Sequence, residues 1–271
     1  MPELPEVETI KRALALRLAG RRIAGVVQRR PDLRFPLPPD LPGRLAGRRF
    51  TTFGRRAKYV LAGLDDGHTL LLHLGMSGRL LLDGPAMGLH EHLTFELDDG
   101  GVLRFVDPRR FGMLDLVATG HIAAHPRLAG LGFEPLDPGF DGPALAAALL
   151  GRRSALKLAL MDQRVVVGVG NIYASESLFR ARLSPRRIAG HLRPRQADRL
   201  AAAIRAVLGD AIGAGGSSLR DYVQTDGTLG VFQSRFAVYG RAGEPCPACG
   251  RPVGKLVQGN RATFLCAFCQ R

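Results

Sequence analysis

Apolar side chains near the start of the chain recur every three or four positions, which places them on one face of a helix. These residues are Val7, Ile10, Leu14 and Leu18. Pro5 suits the first helical turn, where Glu6 and Glu8 favour the positive end of the helix dipole. Gly20 ends the run. We therefore predict a short free arm followed by an amphipathic helix.

A different pattern runs from about Arg22 to Val117, where short apolar runs alternate with turn residues. The runs are IAGVV, YVLAGL, TLLLHL, RLLL, LTFEL and VLRFV. The sequences Asp65-Asp66-Gly67 and Asp98-Asp99-Gly100 are typical of hairpin turns. This segment is predicted to form a β-sandwich or a β-barrel.

Beyond Asp141 the apolar residues return to helical spacing. Four stretches show it: ALAAALLG, ALKLALMDQ, NIYASESLFRA and RQADRLAAAIRAVLGDAIGAGG. Glycines close the last stretch, and a flexible segment is expected from Ser217 to Leu219. From about Phe232 the chain is predicted to be extended again. Its 271 residues are enough for about two domains.

Basic residues outnumber acidic ones by 38 to 24, which gives a formal net charge of +14. This balance favours a polyanionic partner, above all nucleic acid, through phosphate contacts and counterion release. A coding bias towards Arg is an alternative source of the charge. No apolar run approaches the ~18 to 20 residues of a membrane span, and the acidic start is unlike a secretory signal. We expect a soluble, intracellular protein with no membrane partner.

The cysteines form two CxxC pairs: Cys246, Cys249, Cys266 and Cys269. The segment between the pairs is long enough for a hairpin that gathers four thiolates around one ion. Four thiolates leave no open coordination position, so we predict one structural Zn²⁺. Two disulfides, or reduced thiols without metal, are the alternatives. Lys255–Thr263 would form a basic hairpin tip that can enter a groove of nucleic acid, with Arg261 as the donor.

The first residues carry a candidate nucleophile. Removal of the initiator Met would leave Pro2 with a secondary amine, and Glu3 lies beside it. Lys58 follows Arg55 and Arg56, and in so Arg-rich a chain a Lys indicates a site for a compact, titratable ammonium. The alternatives are an ordinary N-terminal residue and a solvated charge on a strand.

Motifs along the whole chain resemble those of the formamidopyrimidine-DNA glycosylases, bacterial enzymes that remove 8-oxoguanine and ring-opened purines. They are MPELPEVET, RRAKY, LHLGMSG, DPRRFG, VGVGNIYASE and VYGRAGEPC. The resemblance implies an α+β fold in three parts. An N-terminal β-sandwich with its leading helix spans 1–130, a helix-two-turn-helix DNA-binding domain spans 131–230, and a zinc-finger hairpin spans 231–271.

The resemblance also implies a monomer of the bacterial cytoplasm, associated with the nucleoid, that holds double-stranded DNA containing oxidised purines in a basic cleft between its domains. The expected activity is that of a bifunctional DNA glycosylase and AP lyase of base excision repair. The Pro2 amine would attack C1′ of the damaged nucleotide, displace the base and form an imine, after which β- and δ-elimination cut the strand. Glu3 would be the general acid/base, with Glu6 in support. Lys58 would donate a proton near the lesion, and Arg261 would serve the final elimination.

Three residues match the group that fills the space left by the extruded base: Met76, Arg109 and Phe111. Arg109 would also bond the orphaned cytosine. Further DNA contacts are expected from His73, His90, Arg152, Arg153, Asn171 and Arg261. Asn171 opens a helix whose N–H groups suit a phosphate, although a plain N-cap is the alternative. His90 and His92 do not suggest a metal pair, because no further ligands accompany them. Ser217–Gln224 would be the loop that covers the flipped base.

Two other functions fit part of the sequence. Endonuclease VIII-type enzymes use the same proline chemistry on oxidised pyrimidines, but Leu4 and the Met76, Arg109 and Phe111 set favour the purine branch. The second is a zinc-ribbon DNA-binding protein without catalysis. The joint presence of Pro2, Glu3 and Lys58 argues against that class, because a protein without catalysis does not need these candidate catalytic residues.

Overall fold

The structure is a computed structural model that describes residues 1–86, 88–219 and 222–271. The described chain divides into two compact units. The N-terminal unit comprises Met1–Ala129 and Ala214–Val231, and the C-terminal unit comprises Gly130–Gly213 and Phe232–Arg271. The chain therefore passes from the N-terminal unit into the C-terminal unit, returns to the N-terminal unit at Ala214–Val231, and ends in the C-terminal unit. Among the helices described here, none is long and apolar enough to cross a membrane.

The predicted first helix is confirmed as α1 (Leu4–Leu18), which buries Val7, Leu14 and the other apolar residues of its stripe. The predicted free arm before it is wrong, because Pro2 and Glu3 are both buried. Glu3 and Glu6 form a capping box, in which Glu6 Oε2 accepts a hydrogen bond from the Glu3 N–H at 2.8 Å. This satisfies backbone groups that a helix start otherwise leaves unpaired.

In the described part of the N-terminal unit, two antiparallel sheets and one short α-helix follow α1. In chain order they are β1 (Ile23–Gln28), α2 (Leu41–Leu45), β2 (Phe50–Arg56), β3 (Tyr59–Leu64), β4 (His68–His73), β5 (Arg79–Leu82), β6 (Glu91–Leu97), β7 (Val102–Val106) and β8 (Met113–Ala118). The strand orders are β1-β6-β7-β5 and β2-β3-β4-β8. One apolar core takes side chains from both sheets and from α1, including Leu14, Phe50, Leu72, Phe95 and Phe105. Of the two predicted architectures, the β-sandwich is confirmed.

Hairpin turns set the register of the second sheet. The expected turn at Gly67 joins β3 to β4, and the glycine has φ +81°, a conformation that a side chain disfavours. A tighter turn at Ala57 and Lys58 joins β2 to β3, with Ala57 at φ +53°. No Gly or Asn marks that turn in the sequence, so pattern alone does not predict it.

The C-terminal unit contains the predicted helices and the cysteine hairpin. Its elements are α3 (Gly142–Leu149), α4 (Leu156–Met161), α5 (Asn171–Arg180), α6 (Pro194–Gly213), β9 (Gly254–Gln258) and β10 (Arg261–Leu265). All four helical stretches read from the sequence are confirmed. The β9–β10 hairpin turns at Gly259 and Asn260, both with positive φ, so Arg261 follows the turn directly. The tip of the hairpin is therefore shorter than the predicted Lys255–Thr263.

Candidate active site and nucleic-acid interface

The four cysteine sulfurs form one cluster, with every pair within 4.8 Å. Cys246 and Cys269 lie 3.9 Å apart, and Cys249 and Cys266 lie 3.5 Å apart. Zn–S bonds of about 2.3 Å in a tetrahedron require sulfurs about 3.8 Å apart, so the geometry fits one ion. These distances also exclude the two disulfides that the sequence left open. The cofactor is one structural Zn²⁺, since four thiolates complete its coordination.

The start of α1 gathers the candidate catalytic groups in a buried setting. Glu3 is 4 % exposed and Glu6 is 2 % exposed. Glu6 uses its second oxygen, Oε1, to accept the Ser217 N–H at 2.8 Å. Because Ser217 begins the expected lesion loop, one carboxylate joins the backbone beside Pro2 to the backbone of that loop. The sequence assigned Glu6 only a supporting role, and its link to a residue 211 positions away has no local signal.

Lys58 lies in the tight β2–β3 turn and is 6 % exposed. The same turn is tied to α1, because Arg55 Nε donates to Glu8 Oε2 at 3.0 Å and Arg55 Nη1 donates to the Ala57 carbonyl at 2.9 Å. Burial alone would raise the pKa of Glu8, but hydrogen bonds from Lys11, Arg12 and Arg55 outweigh it and lower that pKa. The RRAKY motif therefore presents Lys58 from a rigid turn.

His73 ends β4 and packs against the Tyr59 ring, with 4.7 Å between ring centroids. Burial, reinforced by the charges of Lys58 and Arg34, lowers the pKa of His73 to about 4. Its Nδ1 accepts the Gly75 N–H at 3.0 Å, so the neutral ring carries its hydrogen on Nε2. A neutral His of this tautomer can donate one hydrogen bond to a phosphate.

The expected void-filling group, meaning Met76, Arg109 and Phe111, lies on two loops of the N-terminal unit. Met76 is in the β4–β5 turn and is 36 % exposed, and Phe111 is in the β7–β8 loop and is 40 % exposed. The Arg109 guanidinium stacks over the Phe111 ring at 4.9 Å. Apolar side chains left exposed on loops are available for contacts outside the protein.

Asn171 begins α5, but Gly170 is the N-cap, so the alternative of a plain N-cap Asn is wrong. Asn171 Nδ2 instead donates to the Ala262 carbonyl on β10 at 3.0 Å, and its Oδ1 accepts from Lys157 Nζ at 2.6 Å. Lys157 also donates to Thr263 Oγ1 at 2.7 Å. Its side chain is 0 % exposed. Lys157 therefore joins the start of α5 to the zinc hairpin within the C-terminal unit.

Sequence reasoning missed Lys157, although one signal was present. A Lys inside the apolar stretch ALKLALMDQ is out of place unless its ammonium has partners. The partners lie up to 106 residues further along the chain, so their identity could not be read locally.

The remaining expected DNA contacts differ in their surroundings. Arg152 Nη1 donates to Asp162 Oδ2 at 2.9 Å, and hydrogen bonds from Arg164 and Arg152 hold the pKa of Asp162 well below its usual range. Arg153, His90 and Arg261 are exposed. Arg152 thus has a structural partner already, whereas these three point to solvent.

The expected lesion loop is anchored at its ends. Ser217 pairs with Val231, and Ser218 Oγ accepts the Gly230 N–H at 2.9 Å. Tyr222 donates to the Gly215 carbonyl at 3.1 Å, and its burial raises the pKa of Tyr222. Residues 220 and 221 of the predicted Ser217–Gln224 loop lie outside the described residues.

Three family models cover most of the chain. One described as formamidopyrimidine-DNA glycosylase N-terminal domain matches residues 1–114, and one described as formamidopyrimidine-DNA glycosylase H2TH domain matches residues 131–223. A zinc finger found in FPG and IleRS matches residues 243–271. The chain belongs to the formamidopyrimidine-DNA glycosylase family. It is a DNA glycosylase of base excision repair.

Relatives and solved structures within this family align over almost their whole lengths. A formamidopyrimidine-DNA glycosylase of Acidiphilium cryptum is 54 % identical, and one of Cereibacter sphaeroides is 53 % identical, each over all of both chains. The MutM (FPG) protein from Thermus thermophilus has a TM-score of 0.89 at 45 % identity, over 99 % of this chain and 98 % of that one. A Lactococcus lactis FPG mutant in complex with a Fapy-dG containing DNA has a TM-score of 0.92 at 32 % identity over all of both chains.

Proposed function

We propose that this chain excises oxidised purines, namely 8-oxoguanine and formamidopyrimidines, from double-stranded DNA and then cuts the strand through an imine on Pro2. The observation that carries the proposal is the buried Pro2, Glu3 and Glu6 cluster at the start of α1 in a member of this family. A mutant of the Lactococcus lactis FPG was solved with a Fapy-dG containing DNA, and the Lactococcus lactis Fpg was solved with an abasic site containing DNA.

The proposed reaction needs a free proline nitrogen, and removal of Met1 supplies it. The nitrogen lone pair attacks C1′, the C1′–N bond to the base breaks, and the base leaves with a proton. Glu3 moves the protons that accompany base loss and opening of the sugar ring. The resulting iminium withdraws electrons from the sugar, so the C2′ proton is lost and the 3′ phosphate leaves; δ-elimination then releases the 5′ phosphate.

The proposed DNA contacts divide by task. The void-filling group of Met76, Arg109 and Phe111 would occupy the space of the extruded base, with Arg109 bonded to the opposite cytosine. Lys58 would donate a proton and contact a phosphate near the lesion, and Arg261 would assist the last elimination. The phosphate contacts would be His73, His90, Arg152, Arg153, Asn171 and Arg261.

The proposed working form is a monomer, located in the bacterial cytoplasm in association with the nucleoid. Its functional parts along the sequence are a catalytic sandwich at 1–130, a helix-two-turn-helix DNA-binding domain at 131–230 and a zinc finger at 231–271, and the segment 214–231 belongs to the N-terminal compact unit. The net charge of +14 supports a DNA partner, because a polyanion gains from counterion release.

Borohydride trapping tests the proposal. Untagged protein, whose mass confirms loss of Met1, is incubated with a duplex that carries 8-oxoguanine opposite cytosine. We expect a covalent adduct that drops sharply for Pro2→Gly. Trapping mainly on a dihydrouracil duplex would move the assignment to the endonuclease VIII type. Binding without any adduct would contradict the catalytic function and leave a DNA-binding protein.

A further inference from the structure

Asp107 is a buried carboxylate, 0 % exposed, that the chemistry proposed above does not use. Its Oδ1 accepts from Ser77 Oγ at 2.6 Å, and its Oδ2 accepts the Gly112 N–H at 2.7 Å. His92 Nε2 lies 2.8 Å from the Asp107 carbonyl oxygen and fixes the backbone at that point. Both carboxylate partners are neutral, and burying a carboxylate among neutral donors is costly. The two hydrogen bonds offset part of this cost and hold the Ser77 hydroxyl and the Gly112 amide in fixed directions.

The two donors belong to the two loops that carry the void-filling group. Ser77 directly follows Met76 in the β4–β5 turn, and Gly112 directly follows Phe111 in the β7–β8 loop. Each oxygen of Asp107 therefore holds a different loop. A substitution that removed the carboxylate would release both loops at once.

Further contacts bring the same two loops together. Gly75 has φ +60°, and a Cβ added there would lie 2.3 Å from the carbonyl carbon of Phe111, so glycine permits a close backbone approach. Ser77 Oγ also accepts the Arg109 N–H at 3.3 Å. The turn and the loop thus share backbone packing as well as the hydrogen bonds to Asp107.

We propose that Asp107 is a positioning residue that holds Met76, Arg109 and Phe111 as one rigid insertion group, an inference that rests on the proposed function. Insertion into DNA costs base stacking, so a group already in its final shape loses less free energy on entry. A loosened group settles into the duplex less often, and the damaged base leaves the stack more slowly. An abasic site presents no base to expel, so its cleavage depends less on this group.

The test compares two reactions of the same variants under single-turnover conditions. One is excision of 8-oxoguanine opposite cytosine, and the other is strand cleavage at a preformed abasic site. Ser77→Ala removes the hydrogen bond from the Ser77 hydroxyl to Asp107 and leaves Asp107 buried. Asp107→Asn removes the negative charge and keeps the shape of the side chain. We expect Ser77→Ala to slow excision about tenfold, the effect of one hydrogen bond to a charged group, while abasic cleavage stays within about twofold. Asp107→Asn should be milder, because the Ser77 hydroxyl can rotate to accept from the new amide.

Two further variants make the result decisive. Thr94→Val is the matched control, since Thr94 Oγ1 also donates to a buried carboxylate, that of Glu91, on β6. Met76→Ala should reproduce the selective loss of excision. Equal rates for Ser77→Ala and wild type, or an equal loss in both reactions, would overturn the positioning role. Wild-type protein that forms no product would instead overturn the proposed function itself.

Discussion

At the scale of the residue, Lys157 is the buried cation on which the geometry of the C-terminal unit depends. It donates to neutral oxygens of Asn171, Ala262 and Thr263. Lys157→Met would take the lysine donor from Asn171 Oδ1 and Thr263 Oγ1, at about 1–3 kcal/mol each, while the Ala262 carbonyl keeps the bond from Asn171 Nδ2. We expect unfolding in denaturant to become easier by about 2 kcal/mol or more, with weaker DNA binding. Lys255→Met, which removes an exposed ammonium from β9, is the control and should change stability by about 0.5 kcal/mol or less. Equal midpoints for the two variants would contradict this role.

His73 gives a pH-dependent prediction at the same scale. Its pKa is about 4 in the folded protein and near 6.5 when unfolded, so the unfolded chain binds more protons between these values. The stabilisation is complete above about pH 6.5 and is lost as the pH falls towards 4, by up to about 3 kcal/mol. His73→Asn, which keeps an acceptor near Nδ1, should show a flatter fall in thermal stability over this range. Parallel curves for the variant and the wild type would contradict the shift.

At the scale of the element, the sequence predicted the helices and strands whose apolar residues are regularly spaced. Helices α1 and α3 to α6 and strands such as β4 have regular apolar spacing. Strand β2, with the sequence FTTFGRR, was missed because most of its side chains are exposed or half-buried. Helix α2, LPGRL, was missed because its five residues are too few to show apolar periodicity and Gly43 at its centre is a weak helix former. The contacts of Glu6 with Ser217, of Lys157 with Thr263 and of Asp107 with Ser77 could not be predicted, since these partners are brought near only by the folded chain.

The zinc hairpin gives a prediction at this scale. Strands β9 and β10 form an isolated two-stranded sheet, which is marginal in water without further support. We expect chelation of the metal to unfold residues 243–271 and to abolish DNA binding, while the β-sandwich keeps its structure. Far-UV circular dichroism measures the loss of structure, and a count of the zinc released, expected to be one per chain, measures the removal of the metal. Undiminished DNA binding by metal-free protein would count against it.

At the scale of the whole molecule, a net charge of +14 predicts a steep loss of DNA affinity with salt. The logarithm of the binding constant should fall linearly with the logarithm of salt concentration. Arg153→Ala should reduce that slope by about 0.9 if the exposed guanidinium meets one phosphate. Arg152→Ala should also lower stability, because it leaves Asp162 with one fewer donor. An unchanged slope for Arg153→Ala would remove Arg153 from the phosphate contacts.

The return of residues 214–231 to the N-terminal unit has a consequence for biosynthesis. Domains generally fold as they emerge from the ribosome, at ~5–20 residues per second. The first part of the N-terminal unit is complete once Ala129 has been made. Its second part, 214–231, is made only after the intervening residues 130–213. For several seconds the nascent chain therefore carries Glu6 without the Ser217 amide that it later binds. A ribosome stalled in this interval would hold a sandwich that lacks its 214–231 segment.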